Sequence, residues 1–250
     1  MAKPDYIELG NGERIPILFE DRSIIAIDKP AGWMLAPHSW QSTNRNLPAA
    51  IASSIAAGLF WARSRNLKYL RHIHRLDAET SGILLLAKSK GALDTYSGLF
   101  ESRQMEKMYL AVVQGIPNRT EWISRLPLAP APGEIGKVTV DLKQGKEAET
   151  RFRVLQTHGN AGGAGTALIE ARPITGRTHQ IRVHLAESKH PVIGDELYGS
   201  GHGSKGGRAG RKKIKLALRA VFLSYIDPFN KRRIRIQAPV QEFLREFQFA

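Results

Sequence analysis

The chain has 250 residues, 42% of them hydrophobic, and a formal net charge of +14. It therefore holds enough apolar material for a full core and carries a strong positive field, which excludes a disordered basic tail and makes nucleic acid the natural partner class. With no cysteine, disulfides and thiolate metal sites are excluded, which suits a reducing compartment. No apolar run approaches the ~18 residues of a membrane span and the first ten residues have no signal-peptide core, so the protein reads as soluble and cytoplasmic, with no membrane partner.

Residues 1–15 read as a loose N-terminal lead-in with little core material. From Pro16 to Asp28 two strands are expected, joined by a Glu20-Asp21-Arg22 turn and closed by Pro30 and Gly32. Asp28 and Lys29 then form either a strand-end pair or an RNA contact. Leu47 to Trp61 places Ile51, Ile55 and Leu59 at four-residue spacing, the stripe of a helix packed on a core. Arg63, Arg65, Lys68 and Arg71 follow with Tyr69 among them, a pattern that fits either a phosphate-tracking surface or a solvated charge run.

The stretch from His74 to Ser89 organises the rest. Gly82 to Ala87 is a short apolar run, the mark of a strand buried on both faces. Just before it, Arg75, Asp77, Glu79 and Thr80 form a polar turn at the end of a rigid element, where site residues are held most accurately. Ser89 to Arg103 predicts a helix starting at Ser89 and Lys90, with Leu93, Tyr96, Leu99 and Phe100 on one face. Lys107 to Gly115 reads as a strand.

Residues 117–136, rich in Pro, Gly and Ala, suggest a crossing connection or short hairpin without its own core. Strands are expected at Lys137 to Leu142, Glu149 to Thr157 and Leu168 to Ile174, with a loop of glycines at His158 to Thr166. Thr175 then opens a turn into a helix, with Thr178 as N-cap and with Ile181 and Leu185 facing the core. Arg182 lies near the helix start, displaced from that face, able to reach a buried carboxylate. Gly199 to Lys213 is a basic, glycine-rich segment expected to be a mobile loop. Strands at Leu216 to Ile226 and Arg233 to Gln237, joined by a turn at Asp227, and a short helix from Val240 to Phe247 close the chain. His72, His74, His179 and His184 lack the spacing of a metal site.

Several strings, in order, resemble RluA-type RNA pseudouridine synthases: Lys29-Pro30-Ala31-Gly32; His74-Arg75-Leu76-Asp77 with Thr80-Ser81-Gly82; Lys107-Met108-Tyr109; Thr175-Gly176-Arg177 running to His184-Leu185; and His190 through Gly194-Asp195 to Tyr198-Gly199. Leu218-Arg219-Ala220 departs from the family's Leu-His-Ala. The resemblance spans about Pro16 to Phe243. It implies an α+β fold, a mixed, largely antiparallel sheet in two lobes around a central RNA-binding cleft. Residues 16–250 would form the catalytic domain, without a separate N-terminal RNA-binding domain.

The same resemblance makes Asp77 the nucleophile, sets the Tyr109 ring against the target base and pairs the nucleophile with a basic residue, for which helix geometry favours Arg182 over Arg177. His74, Arg75, Thr80, Arg177, His179 and Gln180 become RNA-binding candidates. The implied reaction turns a flipped-out uridine of ribosomal or transfer RNA into pseudouridine. Atoms are conserved, so no cofactor and no metal are expected, and the protein is expected to act as a monomer. Two other classes share parts of the pattern: a catalytically silent RNA-binding or ribosome-assembly protein, and a metal-dependent RNA hydrolase built on the histidines.

Overall fold

A computed structural model describes residues 2–35, 45–159, 165–199 and 214–249. In chain order the elements are β1 (Tyr6–Glu8), β2 (Arg14–Glu20), β3 (Ile24–Lys29), α1 (Leu47–Ala56), α2 (Phe60–Arg63), β4 (Arg71–His72), β5 (Ser81–Ala87), α3 (Lys90–Glu101) and β6 (Glu106–Gln114). They continue with β7 (Glu121–Ser124), β8 (Leu128–Pro130), β9 (Val138–Val140), β10 (Thr150–His158), β11 (Thr166–Pro173), α4 (Gln180–Glu187), β12 (Leu218–Ile226), β13 (Arg233–Gln237) and α5 (Gln241–Glu246). The fold is α+β and largely antiparallel, divided into two compact units: Met1–Glu106 with Ala220–Ala238, and Lys107–Arg219 with Pro239–Ala250.

In the first unit, β5 pairs with β3 antiparallel, Lys29 standing opposite Gly82 and Ile27 opposite Leu84. Every residue from Gly82 to Ala87 is buried, as a continuous apolar run between covered faces requires. β12 and the two-residue β4 are also neighbours of β5. The approach is close at Gly82, whose φ is +106° and where a β-carbon would overlap the backbone of Ala220. α3 starts as its sequence predicts, the Ser89 hydroxyl accepting from the Ala92 N–H at 3.1 Å, and buries Tyr96 against Ile83, Leu85 and Tyr225. The Tyr96 hydroxyl donates to buried Asp227 at 2.7 Å.

Two expectations in this unit need revision. The stretch read as a lead-in forms a hairpin: β1 pairs with β2 through Ile7 and Ile15, and Ile7, Leu9 and Ile15 are buried. The single helix expected from Leu47 to Trp61 is two helices, because the chain turns at Gly58, where φ is +65°. Gly adopts that left-handed conformation without the steric cost other residues meet.

The second unit is built on the antiparallel order β6-β11-β10-β7, with Tyr109 of β6 opposite Ala171 of β11. The segment 117–136 contributes more than a crossing: β7 completes the sheet edge and β8 pairs with β9, which is shorter than the Lys137 to Leu142 strand expected. α4 starts at Gln180 with His179 at the cap position, in the left-handed region at φ 53°, and not with Thr178. Its Ile181, Val183 and Leu185 are buried. Most of the expected glycine loop at 158–166 and of the basic loop at 199–213 lies outside the described residues. Among the described residues, no helix is long and apolar enough to cross a membrane.

Candidate active site

Asp77 sits on the turn that feeds β5, and the turn is fixed from the opposing strand end. Lys29, the last residue of β3, is completely buried. Its ammonium donates to three backbone carbonyls, Pro30 at 3.0 Å, Ala78 at 2.9 Å and Thr80 at 2.8 Å. The Gly32 N–H also donates to the Ala78 carbonyl at 2.8 Å, and the Thr80 N–H closes the turn onto the Asp77 carbonyl at 3.2 Å. One cation and one glycine of Lys29-Pro30-Ala31-Gly32 thus converge on the carbonyl of Ala78, the residue that follows Asp77, and the cation also holds the Thr80 carbonyl. Burial pushes the Lys29 ammonium down to about 8 against the opposing pull of the Glu79 and Asp77 charges. The choice at sequence level was a strand-end pair or an RNA contact; Lys29 is neither, because its side chain points into the protein.

The neighbours of Asp77 divide. Arg75 is exposed. Thr80 is 2% exposed, and its hydroxyl is buried with no hydrogen-bond partner among the described residues. His74 stacks on Phe100 at 4.5 Å between ring centres, while its Nε2 accepts from the Leu85 N–H at 3.1 Å. An accepting Nε2 puts the proton of the neutral ring on Nδ1. Of the basic cluster before this stretch, Arg65 belongs to the interior: it donates to Glu20 at 2.8 Å and to the carbonyls of Trp61 and Pro4. That is a correction to its reading as an RNA-tracking residue, and the reason is burial, its side chain being 4% exposed.

In the second unit Tyr109 is half-buried on β6. Two residues earlier on the same strand, the part-buried Lys107 ammonium donates to the Thr175 carbonyl at 3.1 Å. The turn that begins at Thr175 is assembled by Gln180. Its Oε1 accepts from the Thr175 hydroxyl at 2.7 Å and the Arg177 N–H at 3.0 Å, and its Nε2 donates to the Glu149 carbonyl and the Thr150 hydroxyl, each at 2.9 Å. An amide offers two donors and two acceptor lone pairs, so these four bonds saturate it. Gln180, expected to touch RNA, spends all four of these bonds on bracing the turn. Arg177 is exposed and donates to the Glu147 carbonyl at 2.9 Å.

Arg182 does hold a buried carboxylate, and the one it holds with two of its donors is Asp195. Nε reaches Oδ2 and Nη2 reaches Oδ1, both at 2.8 Å, with side chains only 3% and 0% exposed. Asp195 Oδ1 also accepts from the N–H groups of Leu197 and Tyr198. Burial works to raise this carboxyl, but the Arg182 hydrogen bonds and charge, with those two N–H groups, outweigh it and keep Asp195 below the ordinary carboxylate range. The guanidinium lies 5.3 Å from the centre of the Tyr198 ring. The Tyr198 hydroxyl accepts from the Val138 N–H and is hydrogen-bonded to His179 Nδ1, each at 2.9 Å. Asp195 and Tyr198 carried no assignment at sequence level, although the Gly194-Asp195 and Tyr198-Gly199 string that holds them was visible. His184 is fully buried, bonded at one ring nitrogen to the Thr150 hydroxyl and at the other to the Leu126 carbonyl. Among the described residues no cluster of three or more His, Cys, Asp or Glu could hold a metal ion.

Comparison with known proteins gives this arrangement a context. A family model described as RNA pseudouridylate synthase matches residues 23–187. Ribosomal large subunit pseudouridine synthase C of Escherichia coli K12 is 34% identical over 236 residues, covering 92% of this chain and 67% of that protein. The protein of the same name from Vibrio cholerae is 30% identical over 234 residues, with the same shares covered. Among solved structures, human RNA Pseudouridylate Synthase Domain Containing 1 superposes with a TM-score of 0.68 at 25% identity, over 93% of this chain and 86% of that one. The human Domain Containing 4 protein superposes at 0.69 and 24% identity, over 93% and 92%, and supports the fold.

Proposed function

Since the chain belongs to the RNA pseudouridylate synthase family and is an RNA pseudouridine synthase, we propose that Asp77 is its nucleophile, acting on a uridine flipped out of ribosomal or transfer RNA. Ribosomal RNA is the first substrate to test, because the curated relatives at 30–34% identity are named for the large ribosomal subunit. Uridine isomerisation breaks the N1–C1′ bond, turns the base and forms a C5–C1′ bond; the C5 proton is lost and N1 regains one. Nothing is oxidised or reduced, so the reaction itself needs no redox cofactor.

The observation that carries the assignment is the clamp on the Asp77 turn. A carboxylate on a loop is a poor nucleophile if it wanders, since an ångström of misplacement can cost a hundredfold in rate. Here the carbonyls of Ala78 and Thr80 are pinned by one buried ammonium at 2.8–2.9 Å, on the turn that leads into a strand whose apolar residues are all buried. That is how a reacting group is held by a rigid element and its supporting shell. The same carboxylate serves whether it attacks C1′ or removes a ribose proton to give a glycal.

Tyr109 is assigned to stack on the extruded base, which must leave its helix before any group can reach C1′. Arg182 is assigned to the same reaction, its guanidinium kept in one orientation by Asp195 and the Tyr198 face. Purified protein should therefore convert uridine to pseudouridine at defined positions when incubated with ribosomal RNA transcripts and, separately, transfer RNA. Protein that binds both RNA classes but leaves every uridine unchanged would count against the proposal.

A further inference from the structure

Lys107 is an unusual cation for the second unit. Its ammonium is partly buried and donates to one carbonyl, that of Thr175, at 3.1 Å. An ammonium has three donors, and no carboxylate pairs with Lys107 among the described residues. Burial, unopposed by any neighbouring charge, pushes it down to about 8. Lysines buried to this degree ordinarily find a counter-charge or several carbonyls, as Lys29 does with three. Gly176 lies beside it: a β-carbon there would be in van der Waals contact with the Lys107 ammonium, at 3.9 Å, so a glycine keeps side-chain bulk away from this cation.

Its position says what could complete it. Side chains two apart on a strand project from one face, roughly 6.6–6.8 Å apart along the chain, so Lys107 and Tyr109 share a face of β6. If Tyr109 supports the target base, Lys107 is rooted one pleat repeat from it on the strand, a spacing comparable to that over which a nucleotide links its base to its phosphodiester.

We propose that Lys107 is a phosphate-binding residue, its two remaining donors taking a non-bridging oxygen of the phosphodiester next to the flipped uridine. This rests on the Tyr109 assignment above for the location of the phosphate, though not for the binding of phosphate itself. The competing role is purely structural, a tie between β6 and the Thr175 carbonyl.

Two variants separate the roles. Lys107→Gln keeps a donor for Thr175 and loses the charge; Lys107→Arg keeps the charge. Binding of each to a ribosomal RNA transcript is measured as a function of salt. Phosphate binding predicts that Lys107→Gln lowers the slope of log affinity against log salt by about 0.7–0.9, the contribution of one neutralised phosphate, and that Lys107→Arg preserves it. An unchanged slope in Lys107→Gln overturns the proposal, whatever its melting temperature. Location is tested on a stem-loop containing the uridine that wild-type protein converts, synthesised with one methylphosphonate on either side of it. At one of the two positions the uncharged linkage should weaken wild-type binding on the order of tenfold, the scale of a hydrogen bond to a charged group, with no further loss in Lys107→Gln. Equal penalties in wild type and Lys107→Gln would also overturn it. Absence of conversion by wild type would sink the proposed function instead, and the salt slope would still decide the fate of Lys107.

Discussion

Replacing Lys29 by Met is the most informative perturbation of the scaffold. The side chain of Met fits a lysine stem but leaves the carbonyls of Pro30 and Thr80 without the Lys29 donor and the Ala78 carbonyl with the Gly32 N–H alone, at about 1–3 kcal/mol for each buried acceptor left unsatisfied. Against this stands the cost of keeping an ammonium buried. A fall from 10.5 to about 8 corresponds to about 3 kcal/mol of disfavoured charge, which the Met variant escapes. The net loss at neutral pH is on the order of 1 kcal/mol. The pH dependence is the cleaner signature. Because the folded-state value lies below the unfolded one, the unfolded chain binds the proton that the native protein lacks between pH 8 and 10.5. Stability from this group therefore rises with pH across that window and is lost as pH falls through 8. Between pH 8.5 and 10 wild type should gain about 2 kcal/mol from Lys29, a gain that Lys29→Met lacks. Lys107, also pushed down to about 8, adds a similar gain to both proteins and cancels in the comparison. Denaturant unfolding at pH 8.5 and 10 measures it, and parallel profiles for the two proteins would refute the buried-ammonium role. With the turn loosened, pseudouridine formation should also fall by a larger factor than RNA affinity.

Gly82→Ala should cost more than 3 kcal/mol by denaturant unfolding, since the added carbon meets the Ala220 backbone at a φ of +106° and neither partner is a flexible side chain able to move away. Asp195→Asn removes the charge of the buried carboxylate that Arg182 holds with two donors; a stability loss of about 3 kcal/mol is expected by the same measurement, and a loss under 1 kcal/mol would refute a stabilising role for this ion pair. Tyr109→Phe should retain stacking on the base while Tyr109→Ala loses about 1–3 kcal/mol of RNA interaction. Equal affinity and turnover in the two folded variants would remove Tyr109 from the site.

What could be read from the sequence followed local pattern. The apolar run after Ser81-Gly82 announced β5, Ser89 announced the start of α3, and the alternation of Arg233, Arg235 and Gln237 with Ile234 and Ile236 announced β13. The misses have physical causes. β1 and β2 flank a Gly10-Asn11-Gly12 turn whose apolar partners, Ile7, Leu9 and Ile15, are too few to outweigh their polar neighbours until their complete burial is seen. β7 is only four residues long and draws its order from β10. α4 starts one residue later than a Thr178 cap would set it, because His179 takes a left-handed conformation at φ 53° that no sequence spacing announces. Lys29 was illegible for a different reason: its partners are 49 and 51 residues away in the chain, and no spacing rule connects a strand-end lysine to carbonyls so distant. The motif that carries Asp77 could be recognised, while the groups that hold it still could not.

The role of Asp77 is tested most directly by Asp77→Asn, assayed for pseudouridine formation and RNA affinity on the same preparation. Asn keeps the size and most hydrogen bonds of Asp but has neither the negative charge nor the nucleophilic oxygen. The expected result is a folded protein that binds RNA with near wild-type affinity and forms no pseudouridine. A folded Asp77→Asn protein that converts uridine at near wild-type rate would show that Asp77 is a turn residue and that the nucleophile lies elsewhere.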